Sequence, residues 1–155
     1  MYRFKVLCLS SLAVLMFAGC QCMPWQSKNQ EAMDPTTRQL RKLCVDLKAS
    51  DAEVRREAAV DIREVPTADR KFVRDGLADA LRDPDHQVRA EAAETLRSFG
   101  SADALAVLKK AACSGYQEAR EQYAQATSHL RQQASKGDAG AINTLDKLGE
   151  QRVTT

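Results

Sequence analysis

Apolar residues recur along the chain at helical spacing. Leu40, Leu43, Cys44 and Leu47 share one face, and Val54, Ala58, Ile62 and Val65 form a second stripe. Phe72, Val73, Leu77, Ala80 and Leu81 carry a third, and Val88, Ala92, Leu96 and Phe99 a fourth. A fifth runs through Leu105, Leu108 and Ala112, and a last one through Ile142, Leu145 and Leu148. Punctuation falls between the stripes. Asp34-Pro35 starts the first helix, and Ser50 with Glu53 reads as a capping box for the second. Pro66-Thr67 breaks the chain, and Asp83-Pro84 reads as an N-cap followed by proline. Gly100 stops a helix, Ser101 opens the next, Gly115 ends it, and Gly137-Asp138 begins the last.

The stripes repeat. LCVDLKASDAEVRREAAVDIR (43–63) falls on LADALRDPDHQVRAEAAETLR (77–97), with nine of 21 positions identical. The identities include Asp51/Asp85, Arg55/Arg89, Ala58-Ala59/Ala92-Ala93 and Arg63/Arg97. A fixed period of about 34 residues marks stacked supersecondary units. The paired alanines strip bulk from the middle of each second helix, which lets neighbouring units approach. Beyond 113 the pattern fades: Leu130-Arg131 keep phase with Leu96-Arg97, but Gln122 replaces the valine. The expectation is an all-α chain, a short α-solenoid of antiparallel helix pairs over 34–149. It has about three units, a degenerate C-terminal cap and a polar tail at 150–155.

The segment DPDHQVRAEAAETLRSFGSADALAVLKKAA (83–112) resembles HEAT repeats, in particular the subclass first described in phycobilisome lyases. The resemblance spans roughly 38–113, and KKAACSGYQEAREQYAQA is also somewhat similar to a tetratricopeptide helix pair. In HEAT repeats a turn aspartate and an arginine after the valine often form a ladder between units. The resemblance gives Asp83 and Arg89 that role in the second unit and Arg55 in the first, where Ala49 replaces the aspartate and leaves the ladder incomplete.

The N-terminus has a different character. A basic start, Tyr2-Arg3-Phe4-Lys5, precedes an apolar run from Val6 to Ala18. Such a run rises only about 20 Å as a helix, short of the ~30 Å of a bilayer core. Basic, apolar, small is the order of a signal peptide, here 1–19. Phe17-Ala18-Gly19-Cys20 resembles the lipobox of bacterial lipoproteins, with Phe17 where that family prefers leucine. The resemblance implies acylation of Cys20, and Gln21 after it implies the outer membrane, facing the periplasm. Residues 20–33 then read as a tether, in which Trp25 either rests at the membrane interface or stands exposed.

Composition narrows the function. Aromatic residues make up 5% and charged residues 28% of the 155. Of the 23 basic residues Arg3 and Lys5 fall within 1–19, which has no acid, leaving 21 against 21. A neutral mature chain gives no electrostatic case for nucleic acid. His86 and His129 have no companions in sequence, and no HExxH, GxSxG or phosphate loop occurs. Asp51 and Asp85 read as helix-start residues rather than paired acids. Cys44 and Cys113 read as buried thiols too far apart to bridge, and no metal, cofactor or small-molecule substrate is expected.

The expected function is a non-enzymatic, lipid-anchored adaptor or scaffold of the cell envelope with a protein or peptide partner. An accessory subunit of a lyase or modifying enzyme, or a structural envelope-assembly protein, is the alternative. Arg63, Arg97 and Arg131 share one phase on the second helices and, with Arg56, are the candidate partner-binding residues. A plain solvated helix face is the competing reading.

Overall fold

The computed structural model describes residues 33–150. The chain divides into two units, Met1–Met33 and Asp34–Thr155, and the description falls almost wholly within the second. The expected signal segment 1–19, Cys20, and the tether apart from Met33 lie outside the described residues, as does the tail beyond Glu150.

Seven α-helices follow one another: α1 (Pro35–Asp46), α2 (Ala52–Glu64), α3 (Lys71–Ala80), α4 (His86–Phe99), α5 (Ala102–Cys113), α6 (Gln117–Ser135) and α7 (Ala139–Leu148). They pair as α1/α2, α3/α4 and α5/α6, and α7 closes the stack against α5 and α6. One layer runs α2, α4, α6 and the other α1, α3, α5, α7. This is the short solenoid of three units and a cap that the repeat period implies.

The core lies between the layers. Leu40, Ile62, Val73, Leu77, Val88, Leu96 and Leu108 are each fully shielded from solvent. Ala59, Ala92 and Ala93 are fully shielded too, and Ala58 is nearly so. Without side chains beyond Cβ at these points, α2 and α4 come together along their length. Thr95, also fully buried, donates its hydroxyl to the Ala59 carbonyl at 2.8 Å. A buried hydroxyl needs such a partner, and this one ties the first unit to the second.

The repeat phase explains what the apolar pattern alone gets wrong. Val88, Ala92 and Thr95 form the face of α4 turned to the preceding unit. Their counterparts on α2 are Val54, Ala58 and Asp61. No preceding unit stands among the described residues, so Val54, expected inward, is 39% exposed, and Asp61 is exposed. A polar residue at that position suits the outer face of a terminal repeat.

Cys113, expected to be buried, is exposed at the end of α5, and Cys44 is half-buried. Cys113 shares its phase with Val45 and Asp79, which also face solvent. Burial beside Gly76 pushes the Cys44 thiol above its ordinary range, partly offset by Lys48 and Arg41.

Two caps differ from expectation, by one residue at α2 and by two at α4. Asp34 does cap α1, accepting from the Thr37 amide at 2.8 Å, and Ser101 and Asp138 cap α5 and α7. For α2, however, the cap is Asp51, not Ser50, and the Glu53 carboxylate pairs with Arg56 instead of returning to the helix start. Asp85, not Asp83, caps α4, accepting from Gln87 and Val88.

Asp83 is drawn away by the preceding unit. Its two oxygens accept from Arg55 Nε at 2.6 Å and Nη2 at 2.8 Å, while Arg55 Nη1 donates to the carbonyls of Ala49 and Ser50. Arg89 repeats the arrangement. It donates to Glu118 at 3.1 and 2.8 Å and to the carbonyls of Asp83 and Pro84. The ladder is therefore continuous across the three units, contrary to the expectation from Ala49. Each arginine reaches forward to the next unit's acid, so position 49 supplies only a carbonyl, and Glu118 fills the rung at which the repeat register puts Gln117.

In the other layer Arg74 of α3 bridges Asp69 at 2.5 Å and Asp103 at 3.0 Å, the latter at the start of α5.

Candidate partner-binding face

The exposed sides of α2, α4 and α6 carry the arginines singled out by phase, and each is engaged within the protein. Arg63 lies 2.9 Å from Glu94 and 3.6 Å from Glu91 on α4. Glu91 Oε2, shielded from water and lacking a hydrogen-bond donor, meets Arg63 as a charge across that longer gap. Arg97 donates from Nε to the Gln122 side chain on α6 at 2.6 Å, with Glu94 at 3.9 Å. Arg131 donates to Glu150 at 2.8 Å. Arg56 pairs with Glu53 one turn earlier on its own helix. The three in-phase arginines thus make a second line of ties, each running to a later element in the chain.

These contacts set what the face offers chemically. Glu94 sits between Arg63 and Arg97 and compensates both in part. Arg97 keeps the most unbalanced charge of the column, since its close partner is a neutral amide and its carboxylate stands at 3.9 Å. A shallow cleft of about 190 Å³ opens between α2 and α4, lined by Arg56, His86, Gln87, Ala90 and Glu91. Guanidinium, imidazole, amide and carboxylate converge there around one alanine, a set able to hydrogen-bond an extended peptide or a polar side chain. Among the described residues no cluster of three or more His, Cys, Asp or Glu side chains is placed to hold a metal ion. Asp51 and Asp85 serve as helix caps.

The sequence reading missed the cluster at the far end of the stack. Glu150, expected to begin a polar tail, accepts from the Tyr123 hydroxyl at 2.7 Å, pairs with Lys109 at 3.1 Å and receives Arg131. Lys109 also donates to the Leu148 carbonyl at 2.6 Å. Hydrogen bonds from Tyr123 and Lys109 hold the Glu150 carboxyl below the ordinary carboxylate range. Burial, reinforced by Glu150, pushes the Tyr123 phenol well above the ordinary tyrosine range. A single acid after Gly149 has no periodic signature, so only the geometry finds it.

This clasp fixes α7 to α5 and α6. Glu150→Gln keeps an acceptor for Tyr123 but removes both ion pairs, and is expected to cost roughly 1 kcal/mol. The α7 amides should then exchange with solvent about fivefold faster while α4 amides keep their rate, as read by hydrogen-exchange mass spectrometry. Equal rates in α7 of the two proteins would mean the clasp holds nothing.

No helix among the described residues is long and apolar enough to cross a membrane. No curated protein and no solved structure matches the chain. The family model for HEAT repeats matches residues 40–128, which takes in α2 to α5 whole and most of α1 and α6. With the two-layer stack, the close alanine contact and the arginine–acid ladder, the match establishes that this chain belongs to the HEAT-repeat family.

Proposed function

We propose that the protein is a lipid-anchored, non-enzymatic interaction module of a bacterial cell envelope, held at the outer membrane through acylated Cys20 and binding a protein partner as an adaptor or scaffold. The observation that carries the binding role is the HEAT architecture itself. Its units stack into one continuous surface, on which Arg56 lines a polar cleft between α2 and α4 and Arg97 stands farther along α4, bonded to Gln122 of α6. Such a surface suits a peptide or a single compact partner. The anchor is supported by the basic, apolar and small segments that precede Cys20 and by the resemblance of Phe17-Ala18-Gly19-Cys20 to a lipobox. Two or more acyl chains hold a protein at a bilayer almost permanently.

The test has two arms. In cells fed labelled palmitate, the protein should incorporate label and sediment with membranes, and Cys20→Ala should do neither. A Cys20→Ala protein that still takes up label, or one whose wild type takes up none, defeats the anchor. Crosslinking in intact cells followed by mass spectrometry should recover a defined partner, and Arg56→Glu with Arg97→Glu should remove it. An unchanged partner set in the double variant would dismiss this face.

A further inference from the structure

The full chain carries a small net charge of +2, but its first unit separates charge. The solvent side of α1 carries Arg38, Arg41 and Lys42, all exposed, around Val45, which is 70% exposed. Lys48, also exposed, follows at the end of the helix. At 100° per residue Arg38, Arg41, Lys42 and Val45 fall within about a third of the helix circumference, opposite the buried Leu40, Leu43 and Leu47. Lys42 and Lys48 have no ion-pair partner among the described residues, and Arg41 lies over the Phe72 ring at 5.4 Å. The one acid beside the stripe on α1 is the half-buried Asp46.

The other helices of this layer do not repeat the pattern. On α3, Lys71 is paired with Asp75 at 2.7 Å, and Arg82, just past the helix, lies 3.7 Å from Asp79. The second helix of the first unit exposes acids instead: Glu57, Asp61 and Glu64 stand beside Glu53, which Arg56 pairs. One side of this unit therefore attracts an anionic surface and the other repels it.

We propose that the α1 face is a docking surface for anionic phospholipid headgroups, which lays the solenoid on the bilayer by its first helix and turns the acidic side of α2 away. The apolar stripe of α1 is spent on the core, so the helix rests on the headgroups without inserting, and Val45 is the only large apolar side chain it offers them. Charge complementarity supplies the attraction: cations near such a surface each strengthen binding by roughly fivefold at most. Position favours lipid over an acidic protein, a step that rests on the anchor reading. Asp34 follows Cys20 by fourteen residues, whose contour length keeps α1 within about 50 Å of an acylated cysteine. Of the described helices, α1 is the one nearest to that cysteine along the chain.

The test measures lysine acetylation rates by mass spectrometry on the full chain, with phosphatidylcholine vesicles alone or containing one-third phosphatidylglycerol. Lys42 and Lys48 should react at least threefold more slowly on the anionic vesicles, whereas Lys147 on α7 keeps its rate. High salt should erase the protection. Val45→Glu places an acid in the middle of the stripe at a site with no packing role, and should abolish protection of both lysines.

Equal rates at Lys42 and Lys48 on the two vesicle types overturn the proposal. So does protection by vesicle-free envelope proteins without protection by anionic vesicles, which would assign the face to an acidic protein. The anchor is read separately, because Cys20→Ala should lose palmitate but keep anionic-lipid protection of Lys42 and Lys48.

Discussion

Asp83→Ala is expected to lower the unfolding free energy by about 2 kcal/mol, more than any other single change at a charged residue in this chain. The Asp83 side chain is only 9% exposed. It accepts two hydrogen bonds from Arg55 and a third from the Asp85 amide at 2.9 Å. Removing one partner of a well-shielded pair leaves the other charge uncompensated, which costs about 3–5 kcal/mol in deep interiors and less here, where water reaches the rim. Asp83→Asn should cost less, because the amide oxygen can still receive the Asp85 N–H. The two variants, compared by denaturant unfolding, separate the charge from the turn. A loss for alanine below about 0.5 kcal/mol would reduce the ladder to a surface ion pair.

The same rung makes stability pH-dependent, with a definite sign. The Arg55 guanidinium holds the Asp83 carboxyl below the ordinary carboxylate range, and Arg89 does the same for Glu118. The unfolded chain therefore takes up protons at these sites at a higher pH than the folded one. Their stabilisation is complete above ordinary carboxylate values of about 4 and is lost as pH falls through the lower folded values. Melting temperature should drop on acidification below about pH 4, and Asp83→Asn should flatten part of that drop.

How far the sequence carried the reading follows from which signals are periodic. The helix pairs and the alanine contact were legible because they recur from one unit to the next. The same recurrence marked Asp51 and Asp85 as helix-start residues, but the local Ser50…Glu53 and Asp83-Pro84 patterns put the caps elsewhere. Local pattern lost because Arg55 reaches 28 residues along the chain for Asp83, an attraction no capping rule contains.

Cys113 shows the converse. Its apolar character suggested burial, yet its phase-mates Val45 and Asp79 are exposed. Glu150 carries neither a local nor a periodic signal, since its partners Lys109, Tyr123 and Arg131 come from two helices with no common spacing. Arg63, Arg97 and Arg131 share one phase in the sequence, but phase says nothing of their partners. Their internal pairing depends on Glu91, Glu94 and Gln122, residues that the repeat leaves free to vary.

Leu96→Ala should have the largest effect of all, about 3 kcal/mol, or roughly 12 °C in melting temperature at this domain size. Leu96 is fully buried on α4, the helix that packs against α2, α3, α5 and α6. Deleting its branch removes apolar burial and leaves a cavity that the surrounding helices close only in part, because the buried Ala92 and Ala93 already let α4 pack closely on its neighbours. Ala92→Leu tests that argument from the other side. Added bulk at a fully buried alanine forces the helices apart and should cost about 2 kcal/mol.

Leu148→Ala provides the contrast, for Leu148 lies at the open end of the stack and is 7% exposed. In a quasi-one-dimensional fold each unit touches only its neighbours, so the Leu148 change should speed exchange in α7 and leave the α2–α4 amides slow. Leu96→Ala should instead speed exchange in α2, α4 and α6 together, since it weakens the interfaces on both sides of the middle unit. If the slow amides of α2 were unaffected by Leu96→Ala, the first unit would be stable without the second, and the solenoid would be a string of independent helix pairs rather than one cooperative domain.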